Sequence, residues 1–377
     1  MGKKSAERRE GDRVIEGPGA ATKAEVVAGG KVIRGVVRQR GSVTIKDIAA
    51  MAGVSVATVS YVVNCTRPVR SETRERVRAV IEATGYTRNI SARNLRQGRT
   101  YSIGMVIPDL VQHTFGSISQ GAEGEARARG FTMLFANSAD DPAAELAAIQ
   151  AFRERQVDGL IVVPVVPGNR GMLARMRLEG VPVVAVDRFE DGDVDYVGVE
   201  TVKSMRMLTE HALDHGYVRI ALVAGDTEVT TLAERRRGCV EAVGSSGLGP
   251  TALVVLEGAR TVEEAQTSVF ELLTSPNRPE AVIVSSFRLT MGVLLAVQEA
   301  KLRIPEDVAL LAFDEFPYGR LFGVPITCVV QPAIEIGRDA TRLIMRRIGD
   351  PDAPPVQMRL VPRVEYGASC GCKVAVR

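Results

Sequence analysis

The 377-residue chain contains no tryptophan and only five cysteines, an odd number. Such a count argues against a disulfide framework and for reduced thiols. No apolar run reaches membrane-spanning length, and the charged N-terminal region has no continuous apolar core of the kind a signal peptide carries, so a cytoplasmic location is expected. Catalytic signatures are missing as well. There is no Walker A sequence and no G-x-G-x-x-G after a strand pattern. Neither a catalytic residue nor a cofactor is expected.

What the chain has is length, glycine and uneven charge. Its 377 residues should form two or three folded units, and 36 glycines among many short apolar runs suit an α/β protein. Residues 1–99 carry 20 Lys/Arg against 9 Asp/Glu, whereas the remainder carries 28 against 36. A basic N-terminal portion on an acidic body suits DNA, because phosphate contacts supply the sequence-independent part of affinity. Residues 1–41, rich in Gly, Ala, Lys and Arg, show no firm periodicity beyond a weak apolar patch at Ala24 to Val37. They are read as a disordered basic tail adding non-specific DNA affinity, or as the product of a mis-set start codon.

Residues 42–89 hold three short helical patterns in close succession. Thr44, with Asp47 three residues on, is an N-cap for a helix that places Ile45, Ile48, Ala49 and Ala52 on one face. Gly53 breaks it, and a glycine there can take positive φ and turn the chain sharply. A second helix, Val56 to Asn64 capped by Ser55, buries Val59, Val62 and Val63 and leaves Val56, Ala57, Ser60 and Tyr61 on the opposite face. The third, capped by Ser71, carries Val77, Val80 and Ile81 inward and ends at Gly85. This is a helix-turn-helix signature, with Arg67, Arg70, Arg74 and Arg78 placed for phosphates. A three-helix packing unit without a ligand has the same periodicity; the charge distribution separates the two readings.

The run V-T-I-K-D-I-A-A-M-A-G-V-S-V-A-T-V-S-Y-V-V-N, followed by S-E-T-R-E-R-V and G-Y-T-R-N-I-S-A-R-N-L-R, resembles the headpiece and hinge of the LacI/GalR family of bacterial repressors, and the similarity extends through most of the chain from about residue 42. The resemblance implies that the second helix enters the major groove, with Ser55, Val56, Ala57, Thr58, Ser60 and Tyr61 at the DNA. Tyr61 stands where the family often has arginine. One hydroxyl and a ring cannot reproduce the two-donor grip of a guanidinium on guanine, while Val56 and Ala57 offer apolar contact, for instance to a thymine methyl. Residues 90–99 resemble the family's hinge, in which paired helices lie over a minor groove. Ser91, Ala92, Leu95 and Arg96 are the implied contacts, Leu95 as the wedge between base pairs. An ordinary interdomain linker is the alternative, since Gly98 and the polar flanks suit one too.

From residue 100 to 377 short apolar strands alternate with amphipathic helices, the pattern of parallel sheets covered on both faces. Strands are expected at Ile103–Ile107, Phe131–Ala136, Gly159–Val163 and Val183–Val186. S-I-G-M-V-I-P-D at Ser102 then has a counterpart in R-I-A-L-V-A-G-D at Arg219, followed by strands near Leu253–Leu256, Ala281–Val284 and Val308–Ala312. The expected fold is therefore an α/β core of two Rossmann-like subdomains, similar to periplasmic binding proteins, preceded by an all-α helix-turn-helix domain. The N-subdomain is assigned residues 102–201 and 331–352, the C-subdomain residues 202–330 and 353–377. Such halves bind small molecules at the carboxyl ends of their strands.

The family resemblance implies an effector pocket containing Asp109, Phe115, Asp187, Arg188, Arg235, Phe287 and Asp314. Arg235 and Asp314, facing each other across a cleft, would suit a polyol through charge-assisted hydrogen bonds; an interdomain salt bridge is the alternative. Where sugar-responsive members tend to have S-N-D-L-M-A-L-G, this chain has S-S-F-R-L-T-M-G, so Ser286 and Phe287 replace Asn and Asp. A sugar effector, another metabolite and no small effector at all stay open. His211 and His215 are spaced i, i+4, but no Glu follows His211 and no third ligand is evident. Cys370 and Cys372 are too close for a C-x2-C knuckle and lack a second pair, so no metal site is expected.

The reading is a DNA-binding transcriptional regulator, a repressor in most members of that family, acting as a homodimer on double-stranded DNA with a palindromic operator and controlled by a small-molecule effector, carbohydrate among the candidates, with no membrane partner. A cytoplasmic small-molecule-binding protein or enzyme with a non-specific helical DNA-binding appendage is the alternative.

Overall fold

A computed structural model of the protein describes residues 22–28, 31–37, 43–86, 99–165, 171–188, 194–319 and 323–373. The chain divides into two compact units, residues 1–98 and 99–377.

In the first unit, β1 (Thr22–Ala28) and β2 (Lys31–Val37) form an antiparallel ribbon. Within the tail read as mostly disordered, these fourteen residues are strand; the rest of residues 1–41 lies outside the described residues. The register sets Val26 opposite Ile33, Val27 opposite Val32 and Glu25 opposite Arg34. Gly29-Gly30 between them is the sequence signature of a two-residue hairpin connection. The weak apolar patch noted at Ala24 to Val37 falls on these two strands.

Three helices follow: α1 (Ile45–Ala52), α2 (Val56–Asn64) and α3 (Ser71–Thr84). Thr44 and Asp47 form the expected capping box, each side chain bonding the other's backbone N–H. Gly53 ends α1 in the left-handed region at φ 62°, and α2 leaves at 105° to α1. Ser55 caps α2 by accepting from the Thr58 N–H. Ser71 does not cap α3: it is the first helical residue, and Arg70 precedes it without a side-chain cap. Ile48, Ala49, Ala52, Val59, Val62, Val77 and Val80 make the small core, with Val63 and Ile81 half-buried beside it.

The second unit contains two six-stranded sheets. The first comprises β3 (Ser102–Ile107), β4 (Thr132–Asn137), β5 (Gly159–Val162), β6 (Val183–Val186), β7 (Asp195–Val199) and β13 (Gln357–Leu360), in the order β13-β7-β6-β5-β3-β4, all parallel. The second comprises β8 (Ile220–Gly225), β9 (Leu253–Glu257), β10 (Ala281–Val284), β11 (Ala309–Phe313), β12 (Thr327–Val330) and β14 (Arg363–Glu365), in the order β14-β12-β11-β10-β8-β9, parallel except for β14. Central strands buried on both faces explain the near-continuous apolar runs in the sequence.

The helices of the first lobe are α4 (His113–Ala128), α5 (Pro142–Glu154), α6 (Met172–Leu178) and α11 (Ala333–Gly349); those of the second are α7 (Thr201–Asp214), α8 (Thr230–Ser245), α9 (Val262–Leu273) and α10 (Phe287–Glu299). The chain thus crosses between lobes near residues 200, 331 and 361. The third crossing corrects the expected boundary at 353. Met358 and Leu360 pack into the core of the first lobe, and β13 pairs with β7 before the chain returns as β14. At four residues, β13 is too short for its alternation to announce which sheet it joins.

Two features lock the first lobe. Helices α4 and α11 approach so closely that a Cβ at Gly121 would collide with the backbone of Ile334, and one at Gly337 with that of Ile118. At the far end of α11, the fully buried Arg347 donates to Asp195 at 2.8 and 2.9 Å, and Asp195 also accepts from the Val356 N–H at 2.8 Å.

Candidate nucleic-acid interface and effector cleft

In α2, Val59 and Val62 face the core, while Val56 and Ala57 are exposed and Ser60 and Tyr61 half-exposed, as the helical period required. The hydroxyls of Ser55 and Thr58 are 2.9 Å apart, and that of Ser55 accepts the Thr58 N–H as the cap of α2. Ser60 accepts from Asn64 Nδ2 at 2.9 Å. One relation went unanticipated: the guanidinium of Arg67, just beyond α2, lies over the Tyr61 ring at 5.3 Å. The ring therefore orients an exposed cation in place of the arginine missing at position 61. Arg70, Arg74 and Arg78 are exposed along α3. The implied hinge contacts Ser91, Ala92, Leu95 and Arg96 fall outside the described residues.

The second unit has a cleft of about 550 Å³ at the carboxyl ends of the strands of both lobes. Phe115, Asp187, Arg188, Arg235 and Asp314 line it. Asp187 follows β6 and Asp314 follows β11, each with positive φ, 62° and 81°. Each donates its N–H to the adjacent strand, to Val197 O and Val329 O, so the two lobes repeat one device. Left-handed geometry in a residue other than glycine is strained and is retained where it aims a functional group. Burial raises the Asp187 carboxyl above its ordinary value, although Arg235 and Arg188 oppose the shift.

Arg235, on α8, stacks on Phe313 with its guanidinium 3.8 Å from the ring centroid. It donates to Ser285 O at 2.6 Å and lies 3.4 Å from Asp314. Both residues belong to the second lobe, so the pair forms one wall of the cleft and neither faces its partner across it nor bridges the lobes. Arg235 Nε and Gln331 Oε1, both in cleft-lining residues, have no hydrogen-bond partner among the described residues.

Two expected residues stand elsewhere. Phe287 turns its ring onto Phe316 at 5.3 Å within the apolar core, and only its N–H reaches Asp314, at 3.4 Å. An aromatic ring at the start of α10 gains more by burial there than at a wet cleft wall. Its neighbours Ser286 and Arg288 line the cleft instead. Asp109 is not in the lining but accepts from Arg288 at 3.2 Å, with Asp140 at 3.8 Å from the same guanidinium. Since Arg288 is on the second lobe and both aspartates are on the first, these ion pairs span the mouth. Arg359 on β13 and Glu234 on α8 make a second, two-pronged bridge at 2.9 and 3.0 Å. Sequence reasoning missed Arg288, Asp140, Asp226, Arg260 and Gln331; Asp140, Asp226 and Arg260 lie outside helices and strands, where no periodicity betrays a charged residue.

The His and Cys pairs, expected to be unrelated, converge. His211 Nε2 lies 3.3 Å from Cys370 Sγ and 3.4 Å from Cys372 Sγ, and His215 Nε2 lies 3.3 Å from Cys372 Sγ. The sequence offered only i, i+4 and C-x-C; the 154 residues between His215 and Cys370 supply the rest.

A helix-turn-helix with an exposed basic flank, and a two-lobed α/β core with a polar cleft, define a DNA-binding transcriptional regulator with an effector-binding core. Residues 44–89 match the family described as bacterial regulatory proteins, lacI family, and residues 209–370 match a periplasmic binding protein-like domain. A crystal structure from Burkholderia thailandensis, provisionally assigned as a ribose operon repressor, is 31% identical, with a TM-score of 0.63 over 71% of this chain and 99% of that one. The chain belongs to the LacI family of bacterial regulatory proteins, and its relatives are transcriptional regulators, many of them repressors, and not enzymes. The HTH-type transcriptional repressor PurR of Haemophilus influenzae is 28% identical over 309 residues, covering 82% of this chain and 92% of the relative. The Lac repressor dimer bound to operator shares the fold, with a TM-score of 0.75 and 21% identity over 88% of this chain and 99% of that one.

Proposed function

We propose that the protein is a cytoplasmic homodimeric repressor whose paired α2 helices read a palindromic operator and whose cleft binds a neutral polyhydroxylated effector of the sugar class. The observation that carries the effector class is the balance of the cleft walls: Arg188 pairs with Asp140, Arg260 with Asp226, Arg235 with Asp314 and Arg288 with Asp109 and Asp140, so each of these four arginines already faces a carboxylate. Arg235 Nε offers an unused donor and Gln331 Oε1 an unused acceptor, the complement of a hydroxyl-bearing ligand. On the DNA side, Val56, Ala57 and Tyr61 give mainly apolar readout, Arg67 adds a charged contact oriented by Tyr61, and the Leu95 region serves the minor groove. Effector occupancy changes the angle between lobes and so the spacing of the two DNA-binding units.

Selection of bound duplexes from a random pool at near-physiological salt tests the DNA half. A palindrome should be enriched; binding that yields no consensus and vanishes as salt rises would refute specific recognition. Isothermal titration with neutral sugars and polyols beside their phosphorylated forms tests the effector half. Binding restricted to phosphorylated compounds would refute the neutral class.

A further inference from the structure

The second lobe gathers His211, His215, Cys370 and Cys372, whose donor atoms all lie within 4.8 Å of one another. The arrangement has three local causes. The two histidines are one turn apart on the last stretch of α7, so their rings stand on one face. Gly371, between the cysteines, takes φ 90°, which folds the C-x-C segment back so that both sulfurs point the same way. Thr327 and the end of β14 hold this segment against the sheet: Thr327 Oγ1 bonds Gly367 O at 3.0 Å and approaches Cys370 Sγ at 2.9 Å, and Tyr217 donates its hydroxyl to Cys370 O at 3.1 Å.

We propose that these four residues bind a zinc ion. Tetrahedral zinc, with Zn–S of about 2.3 Å and Zn–N of about 2.0–2.1 Å, sets nitrogen-to-sulfur edges of about 3.5 Å. Three of the four nitrogen-to-sulfur separations, 3.3, 3.3 and 3.4 Å, are close to that edge, and all donor pairs lie within 4.8 Å. Two thiols and two imidazoles are donors for a borderline-soft ion and leave no oxygen ligand for magnesium or calcium. On binding, both thiols release their protons to solvent and the two thiolates balance the ion's charge. Four protein donors leave no open position, so the site is structural. The surroundings resemble the outer shell of such sites: Tyr366 packs on His211 with ring centroids 4.6 Å apart, and Tyr217 stacks on His215 at 6.0 Å. The ion would fasten the segment beyond β14 to α7, the first helix after the chain enters the second lobe.

The test uses the full chain without a histidine tag, purified reduced and without chelators. Mass spectrometric metal analysis should find about one zinc per chain. Cobalt substitution should give the thiolate charge-transfer and intense visible bands of a tetrahedral site. Cys370→Ser/Cys372→Ser should abolish both. Because Cys370 is fully buried, that variant could unfold; His215→Asn, at an exposed ligand, should keep native circular dichroism while losing zinc to a competing chelator faster than the parent. A chain that takes up no zinc from an equimolar solution with its thiols reduced, or zinc retained unchanged in the double cysteine variant, would overturn the proposal.

Discussion

Replacing Arg288 with alanine should open the cleft. The guanidinium reaches from α10 to Asp109 at 3.2 Å and Asp140 at 3.8 Å on the opposite lobe, and all three side chains are about one-third exposed. In that environment each pair is worth about 0.2–1 kcal/mol, so removing both shifts the balance between closed and open forms by about 0.4–2 kcal/mol, or about 2- to 30-fold. The Arg359–Glu234 bridge remains and caps the effect. Small-angle scattering of the effector-free protein should show a larger radius of gyration. An effector that requires closure should bind more weakly by the factor by which the closed population falls. Asp109→Ala should reproduce part of the change, and Arg288→Ala/Asp109→Ala should be less than additive because the two share one interaction. Unchanged scattering in Arg288→Ala, or full additivity with Asp109→Ala, would refute the latch.

Three further outcomes follow from the packing and the charges. Asp195→Ala strands the buried guanidinium of Arg347 and should lower stability by about 3–5 kcal/mol in urea denaturation; a loss under about 1 kcal/mol would contradict an ion pair essential to that lobe. Gly337→Ala forces α11 off α4 and should cost about 1–3 kcal/mol, whereas Gly124→Ala on the open face of α4 should be neutral or stabilising, as thermal melts will show. Burial raises the folded-state pKa of Asp187, so the folded chain holds its proton more tightly than the unfolded chain and stability contributed by this group falls as pH rises from the ordinary carboxylate value through the raised one. Asp187→Asn, tolerated at φ 62°, should therefore raise the melting temperature at pH 7 with a gain that shrinks on acidification, while weakening effector binding; an unchanged melting profile across the range would count against it.

Local chemistry was the legible part. Thr44 with Asp47, Gly53 and Ser55 announce α1 and α2 because capping and left-handed turns are decided within four residues. Strands such as Ala281–Val284 were readable because burial on both faces leaves an uninterrupted apolar run. Phe287 was misplaced because sequence alignment assigns a position on α10, whereas the side chain's direction depends on Phe316, brought near by the fold. Arg235 and Asp314 meet at 3.4 Å within the second lobe, as the 202–330 assignment placed them, and not across the cleft, because the direction of each side chain is decided by Phe313 and Ser285, which the fold brings near. The same limit hid the meeting of His211 with Cys370, and the sheet to which β13 belongs.

The three crossings between lobes bear on how the chain is made. Neither lobe is a continuous stretch: the first needs α11 and β13, ending at Leu360, and the second needs β14, ending at Glu365. A ribosome that has produced 300 residues has therefore released neither lobe in full, although every residue of α1 to α3 emerged long before. For that interval the apolar edges of both sheets wait for partners, and the core assembles late and nearly at once, while the DNA-reading helices can take shape on the nascent chain. Truncations that spare the cleft residues but remove β13 would leave the outer edge of β7 exposed and should yield aggregates, not a smaller regulator.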